Sequence, residues 1–274
     1  MSYNIYLGGV DGADETRLHT QVDILSGLEP DIVCLQECTW GDEDNQRRLE
    51  YVANALGLRA VAMVRSHTSS IANFTTLLYR PSRLKLIDWQ HRGKGAFLHT
   101  LIRARFRPVD AADDDHDADF LVLGTHLNWT DGESRLQEVR WMTDDGDALP
   151  GTPQQAFALG DFNTPDREPK SWSLIPRNLH SRYRLVKTNG RFGKADRRAV
   201  RVLLASGWQD PQKLVSKKRA PTVGYYYPNE PVPWCLDYAL VRGVKVIDYR
   251  TVDTPQARAV SDHLPVVLDA EVKR

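Results

Sequence analysis

Apolar runs of strand length, each closed by a turn cluster or a polar residue, recur from one end of the chain to the other. They read "SYNIYL", "DIVCLQE", "RAVAMV", "FTTLLYR", "LKLIDWQ", "FLHTLIRARF", "DFLVLGTHL", "QQAFALGDF", "CLDYALVRG", "VKVIDYRTV" and "HLPVVLDAEV", lengths and contents that suit buried or half-buried strands. Helical spacing shows in fewer places. Leu18, Val22, Leu25 and Leu28 share a face before Pro30, and Leu49, Val52, Ala53 and Leu56 share one before Gly57. Shorter amphipathic stretches surround Arg135 to Met142 and Ala195 to Gly207. Many strands with few helices predict an α+β chain of two packed mixed β-sheets with helices outside, residues 1–274 forming one domain.

Between Pro165 and Asp196 the periodicity is weak, and an extended loop region is expected there. A loop crowded with Asp110, Asp113, Asp114, Asp115, Asp117 and Asp119 lacks the Gly and terminal Glu of a calcium loop and reads as a solvated hairpin connection.

Charge narrows the partners. The chain is formally neutral, yet Arg167 to Arg219 holds fifteen Lys and Arg against three acids, a net +12 that the rest balances with −12. Such asymmetry suits a polyanion at one face, although a solvated charged face is the plainer source of a charge run. No apolar run approaches the ~18 residues that cross a bilayer. Cys34, Cys38 and Cys235 cannot all pair and show no metal-ligand spacing beyond a loose C-x3-C, so free, mostly buried thiols in a reducing, cytoplasmic compartment are expected. A monomer is expected as well. No signal peptide is visible, and a leader upstream of "MSYNIYLGG" stays open.

The chemistry gathers where apolar runs end: Asn4, Glu37, His126 with Asn128, Asp161 with Asn163, Asp237, and Asp262 with His263. Each alone is an ordinary turn or capping residue. Together they describe a layer of acids, amides and histidines presented at strand ends, which is how a sheet scaffold displays a site. Carboxylate and amide oxygens without clustered Cys or His form a hard-oxygen site suited to Mg²⁺, Mn²⁺ or Ca²⁺. Two histidines beside carboxylates permit proton transfer near neutral pH, so an oxyanionic phosphoester is the first substrate class to consider.

"SYNI", "DIVCLQE", "GTHL", "LGDFN" and "SDHLPV", in that order and spread over nearly the whole chain, resemble the endonuclease/exonuclease/phosphatase superfamily, and "CLDYALV" fills the place of its strand-start Asp. The resemblance implies the deoxyribonuclease I-like fold, a four-layer α/β/β/α sandwich. It implies that Asn4, Glu37 and Asp262 hold Mg²⁺ or Mn²⁺, that Asp161 orients or deprotonates the attacking water, and that Asn163 contacts phosphate. His263 would bind phosphate oxygens or shuttle a proton with its ring oriented by Asp237, and His126 would serve as phosphate ligand or general acid. Asn128 and Asn73 are candidate substrate contacts, with a loop position before a strand the plainer reading of Asn73. The mid-chain Tyr of the abasic-site branch has no counterpart, since Tyr79 reads as packed within a strand.

The resemblance leaves the substrate open. A nuclease acting on DNA or RNA comes first, its basic 167–219 segment tracking the backbone while Trp172, Tyr183, Phe192 and Trp208 stack on bases. A phosphatase, phosphodiesterase or other metal-assisted enzyme of specialised metabolism, acting on a small molecule, nucleotide or lipid head group, is the alternative, with Tyr225, Tyr226, Tyr227 and Trp234 walling a pocket. A binding protein without turnover ranks last, because every polar position that the chemistry needs is present.

Overall fold

The structure is a computed structural model that describes residues 1–40, 46–67, 72–147, 149–215 and 219–273. Its first sheet comprises β1 (Ser2–Asn4), β2 (Ile32–Cys38), β3 (Arg59–Arg65), β4 (Phe74–Tyr79), β12 (Lys245–Thr251) and β13 (Val266–Glu271), in the order β12-β13-β1-β2-β4-β3. The second holds β5 (Leu84–Arg92), β6 (Thr100–Pro108), β7 (Phe120–His126), β8 (Gln155–Asp161) and β11 (Asp237–Arg242), in the order β11-β8-β7-β6-β5. Pairing of β1 with β2 and of β7 with β8 is parallel and the other pairs are antiparallel, so both sheets are mixed.

Alternation along the strands sorts side chains into layers. Val33 and Leu35 of β2 face α1 (Thr16–Ser26) and α2 (Arg47–Leu56) through Leu18, Val22, Leu25, Leu49, Val52 and Leu56, whereas Cys34 between them joins the core shared by the sheets. In the second sheet Leu121 and Leu123 meet α3 (Gly132–Thr143) and α5 (Arg198–Ala205), while Val122 points to the shared core beside Ile102, Leu159 and Ala239. Helix, sheet, sheet, helix is therefore the layer order. Gly57 closes α2 in the left-handed conformation that its lack of a Cβ permits.

Residues Pro165 to Asp196 depart from the expected loop. They carry two 3₁₀ turns, α4 (His180–Tyr183) and a hairpin of β9 (Arg184–Val186) with β10 (Phe192–Ala195). Ile175, Leu179 and Tyr183 from this stretch pack with Val232, Trp234 and Leu236 into a small core of their own. Elements of three or four residues are too short to show a period, which is why the sequence concealed them. At six residues α6 (Pro255–Val260) is also under two turns long, and its first turn is capped by the Thr254 hydroxyl accepting from Ala257 N–H at 3.1 Å.

Two further expectations need correction. Trp208 is only 2% exposed and donates its indole N–H to the Met142 carbonyl at 3.0 Å, so it fills the core against α3 and α5 instead of stacking on a ligand. Asp119 is not part of a solvated loop: it is fully buried and bound by Arg107 Nε at 2.5 Å and by Arg105. All three cysteines are buried and unpaired. No helix among the described residues is long and apolar enough to cross a membrane.

Candidate functional site

Strand register brings the site together. His126 at the end of β7 pairs across to Asp161 at the end of β8, and Asp161 pairs across to Asp237 at the start of β11. The two strands at Asp161 approach so closely that a Cβ on Gly160 would strike the Thr125 carbonyl, so the glycine of "LGDFN" sets the spacing of His126 and Asp161. Asp161 Oδ1 accepts from the Asn163 backbone N–H at 2.8 Å, and Asn163 takes a positive φ of 48° that folds the chain back over the strand end. Its side-chain amide donates to the Leu127 carbonyl at 2.9 Å.

From the other sheet come Asn4 and Glu37. The Asn4 amide nitrogen donates to Glu37 Oε1 at 3.1 Å and to Asp161 Oδ2 at 3.2 Å, joining the two sheets across the site. Its oxygen accepts from Tyr6 N–H at 3.0 Å, and Leu7 N–H donates to Glu37 Oε2 at 3.2 Å. Glu37 sits in a β-bulge of β2 with φ 60°, and Tyr6 and Leu7 also hold positive φ. For residues of this bulk such conformations cost on the order of 1–3 kcal/mol and persist where neighbouring contacts enforce them. Here the enforcing contacts are the hydrogen bonds that aim Asn4 and Glu37.

His263 Nδ1 lies 2.8 Å from Asp237 Oδ2, and its Nε2 lies 3.7 Å from Asp161 Oδ2. The Ser261 hydroxyl donates to the Asn4 carbonyl at 2.8 Å and accepts from His263 N–H at 3.2 Å, tying this loop to β1. Burial, the largest single influence, works against a charged His263 ring. Asp237, Asp161 and Asp262 together outweigh it and hold the ring well above the usual imidazole range. Burial pushes the Asp161 carboxyl up to about 7, with Asp237 adding to the rise and His263 opposing it.

His126 Nε2 lies 3.6 Å from the same Asp161 oxygen. Its ring stacks on His99 with centroids 3.8 Å apart and planes within 2°, and His99 Nδ1 meets the Ser66 hydroxyl at 2.7 Å. Burial, with His99 and His263 nearby, lowers His126 well below the ordinary value, and burial lowers His99 to about 4. A neutral stacked pair results. Sequence reading missed His99, because only the pairing that sets Thr100, the next residue, opposite His126 brings the two rings together, and no local pattern shows it.

Asp262, Glu37, Asn163, Asn73, His126 and His263 all line one cavity of about 440 Å³. The Asn73 side-chain oxygen is buried there without a hydrogen-bond partner. Asn128 does not join them: its Oδ1 accepts from the Thr130 backbone at 2.7 Å and hydroxyl at 2.6 Å, shaping the turn before α3. The cavity wall also holds Trp129, Arg182, Tyr226, Tyr227, Glu230 and Trp234. Of these, sequence reading had singled out Tyr226, Tyr227 and Trp234.

Among the described residues, two places could hold a divalent ion. Asp161, Asp237 and His263 bring ligand atoms within 4.8 Å of one another, yet the Asp237 to His263 hydrogen bond already occupies two of them. Glu37 and Asp262 fit better. Asp262 Oδ1 is buried with no partner, and its pKa is pushed up to about 6 by burial and by the charges of Glu37 and Asp237, against the pull of His263. Two carboxylates lining the same cavity, one with an unsatisfied oxygen, form the hard donor set that Mg²⁺ or Mn²⁺ takes. Asn4 presents its amide nitrogen, not its oxygen, to the carboxylates, which makes it their hydrogen-bond donor in this arrangement.

Residues 1–263 match the model of the Endonuclease/Exonuclease/phosphatase family. No curated protein matches the sequence. Among solved structures, an endonuclease/exonuclease/phosphatase from Bacteroides vulgatus aligns at 16% identity and TM-score 0.69, covering 99% of this chain and 97% of that one. An AP endonuclease from Archaeoglobus fulgidus aligns at 18% identity and TM-score 0.65 over 99% and 98%. A mannosyl-6-phosphatase from Bacteroides thetaiotaomicron aligns at 16% and 0.64 over 98% of each chain. At such identities the likeness concerns the fold. The family model adds the chemistry, for its members hydrolyse phosphoester bonds and generally depend on a divalent metal. A match across nearly the whole sequence and a shared two-sheet architecture give one conclusion: the chain belongs to the endonuclease/exonuclease/phosphatase family.

Proposed function

We propose that the protein is a divalent-metal-dependent phosphoesterase whose substrate is a compact phosphoester bound within the cavity. One observation carries the choice of substrate. Among the described residues, Glu37, Asp161, Glu230 and Asp262 line the cavity against a single arginine, Arg182, and Trp129, Tyr226, Tyr227 and Trp234 wall it. A volume of about 440 Å³ with aromatic sides suits a small molecule. The excess of carboxylates disfavours a run of backbone phosphates, which binds through many cations.

In this reading Glu37 and Asp262 would hold the ion, which when bound neutralises charge on the phosphoryl oxygens. Asn4 donates to Glu37 and Asp161 and so fixes both carboxylates. Asp161 Oδ2 takes a proton from the attacking water as its oxygen bonds to phosphorus and the ester P–O bond breaks, the leaving oxygen taking its proton from solvent, while His263, charged and oriented by Asp237, donates a hydrogen bond to a phosphoryl oxygen. Asn163 and Asn73 supply further polar contacts. His126, held neutral, donates or accepts a hydrogen bond and is unsuited to protonating the leaving group.

A nucleic-acid substrate draws on a different feature. A groove of about 400 Å³ beside Pro165 and Asp166 is lined by Arg197, Arg201 and Lys213, none in an ion pair among the described residues. Lys217 and Lys218 of the basic segment lie outside the described residues. Of the ten further Lys and Arg of that segment, three are held in ion pairs, Arg198 on Asp196 and Glu133, Arg219 on Asp210 and Arg167 on Asp166. Trp172 and Tyr183 pack the small core beside Trp234.

Hydrolysis of plasmid DNA and of a panel of small phosphomonoesters and phosphodiesters, with Mg²⁺, Mn²⁺ or EDTA and with Asp161→Ala as control, separates the readings. Metal-dependent turnover of a small ester with intact plasmid is expected. Plasmid nicking without small-ester turnover would replace the compact substrate by nucleic acid.

A further inference from the structure

We propose that Arg182 and Trp129 form a second oxyanion subsite in the cavity, which takes a phosphate or carboxylate group of the substrate other than the one that reacts. The inference rests on the compact-substrate reading and names its substrate class: small phosphoesters that carry a second anionic group.

The Arg182 guanidinium lies 4.5 Å over the ring centroid of Trp129, a side chain left 45% exposed on the cavity wall. Stacking on an indole face orients a guanidinium while leaving its N–H edge free to donate. No carboxylate of the described residues pairs with Arg182, although Glu230 lines the same cavity. Other arginines nearby are differently placed. Arg184 donates to the Gly193 carbonyl at 2.7 Å and lies over Trp172, and the buried Arg135 donates to the Asn128 carbonyl and to the carbonyl of Arg182 itself. The backbone of Arg182 is thus anchored from below while its side chain is held flat and unpaired.

An unpaired guanidinium in a wall otherwise rich in carboxylates has a forked donor geometry that matches an oxyanion in two parallel hydrogen bonds. The reacting phosphate belongs with Glu37, Asp161, Asp262 and His263, so an oxyanion on Arg182 is a different group of the same molecule. Trp129, Tyr226 and Tyr227 then flank the part of the substrate between the two anions.

Calorimetric titration with Mn²⁺ in an Asp161→Ala background reads binding without turnover. Glucose 1,6-bisphosphate and glucose 6-phosphate serve as the paired probes. Arg182 present, the bisphosphate is expected to bind about tenfold tighter or more, the difference that charge-assisted hydrogen bonds supply. Adding Arg182→Ala should remove that preference and leave the monophosphate affinity unchanged, and Arg182→Lys should restore part of it. Equal loss for both probes would assign Arg182 to the reacting phosphate and overturn the proposal, as would no loss for either or no binding of either. Wild-type hydrolysis is read separately: retained selectivity without turnover of any small ester would sink the phosphoesterase reading and leave the subsite standing.

Discussion

The Nδ1 atom of His263 lies 2.8 Å from Oδ2 of Asp237, with both side chains buried at the junction of the two sheets. Asp237 starts a strand paired in register with β8, so the carboxylate that orients the ring is itself fixed by a backbone ladder. Asp237→Asn keeps the shape and removes the charge. We expect kcat to fall on the order of 10²- to 10³-fold, the range for loss of one positioned hydrogen-bond donor to a developing oxyanion, with the melting temperature close to that of the parent. Steady-state kinetics on whichever ester is turned over, beside a thermal melt, checks this; near-parental kcat would remove His263 from the mechanism.

Binding of a divalent ion between Glu37 and Asp262 has a signature independent of catalysis. At a hundredfold excess over its dissociation constant, a ligand specific for the folded state adds about 2.7 kcal/mol. Mn²⁺ should raise the melting temperature of the parent and of Arg182→Ala, and should fail to do so in Glu37→Gln or Asp262→Asn. An undiminished shift in both carboxylate variants would place the ion elsewhere, with Asp161, Asp237 and His263 the next candidates.

Glu138 offers a pH test away from the reacting groups. It accepts from Leu98 N–H at 2.8 Å and Asn128 N–H at 2.7 Å, pinning the loops that carry His99 and Trp129. Burial, the larger effect, outweighs those donors and Arg135 and pushes the carboxyl up to about 7 from its ordinary 4.5. A folded-state value above the unfolded one means that the folded chain binds the proton more tightly. Its stabilising contribution is complete below about pH 4.5 and is lost as pH rises through about 7. Glu138→Gln does not titrate, so the melting temperature of the parent relative to the variant should fall between pH 5 and pH 8 by an amount of order a few degrees. A difference that grows with pH would show that the two N–H donors prevail over burial.

Gly160→Ala places a methyl group against the Thr125 carbonyl, between two backbones that cannot part without breaking the β7 and β8 ladder. Overpacking of this kind costs ~1–3 kcal/mol. Denaturant unfolding should register that loss, together with weaker turnover as Asp161 shifts from His126 and Asn4. Unchanged stability would mean that the strands yield more readily than their pairing suggests.

Much of the fold was legible because it is written in local patterns. The apolar runs "DIVCLQE" and "DFLVLGTHL" reappear as strands whose side chains divide between helix-facing and sheet-facing layers, and Gly57 closes its helix as its position implied. Pro165 to Asp196 failed for the converse reason, since its pieces are shorter than the periods by which pieces are recognised. At the site, residue types ending apolar runs were informative for Asp161, Asp237 and His263, which the structure gathers together, and uninformative for Asn128, whose amide serves its own turn.

What the sequence by itself determined, then, is which segments become strands and which polar residues stand at their ends, because burial and alternation act over a few neighbouring residues. Tertiary structure alone decided which atoms face one another. Asn4 and Asp161 are 157 positions apart, and only the packing of the two sheets turns the amide nitrogen of Asn4 toward both carboxylates. Packing likewise stacked His99 on His126, buried Trp208 and left Arg182 unpaired over Trp129. Side-chain direction and partnership depend on contacts between segments distant in the chain, and no local pattern records those.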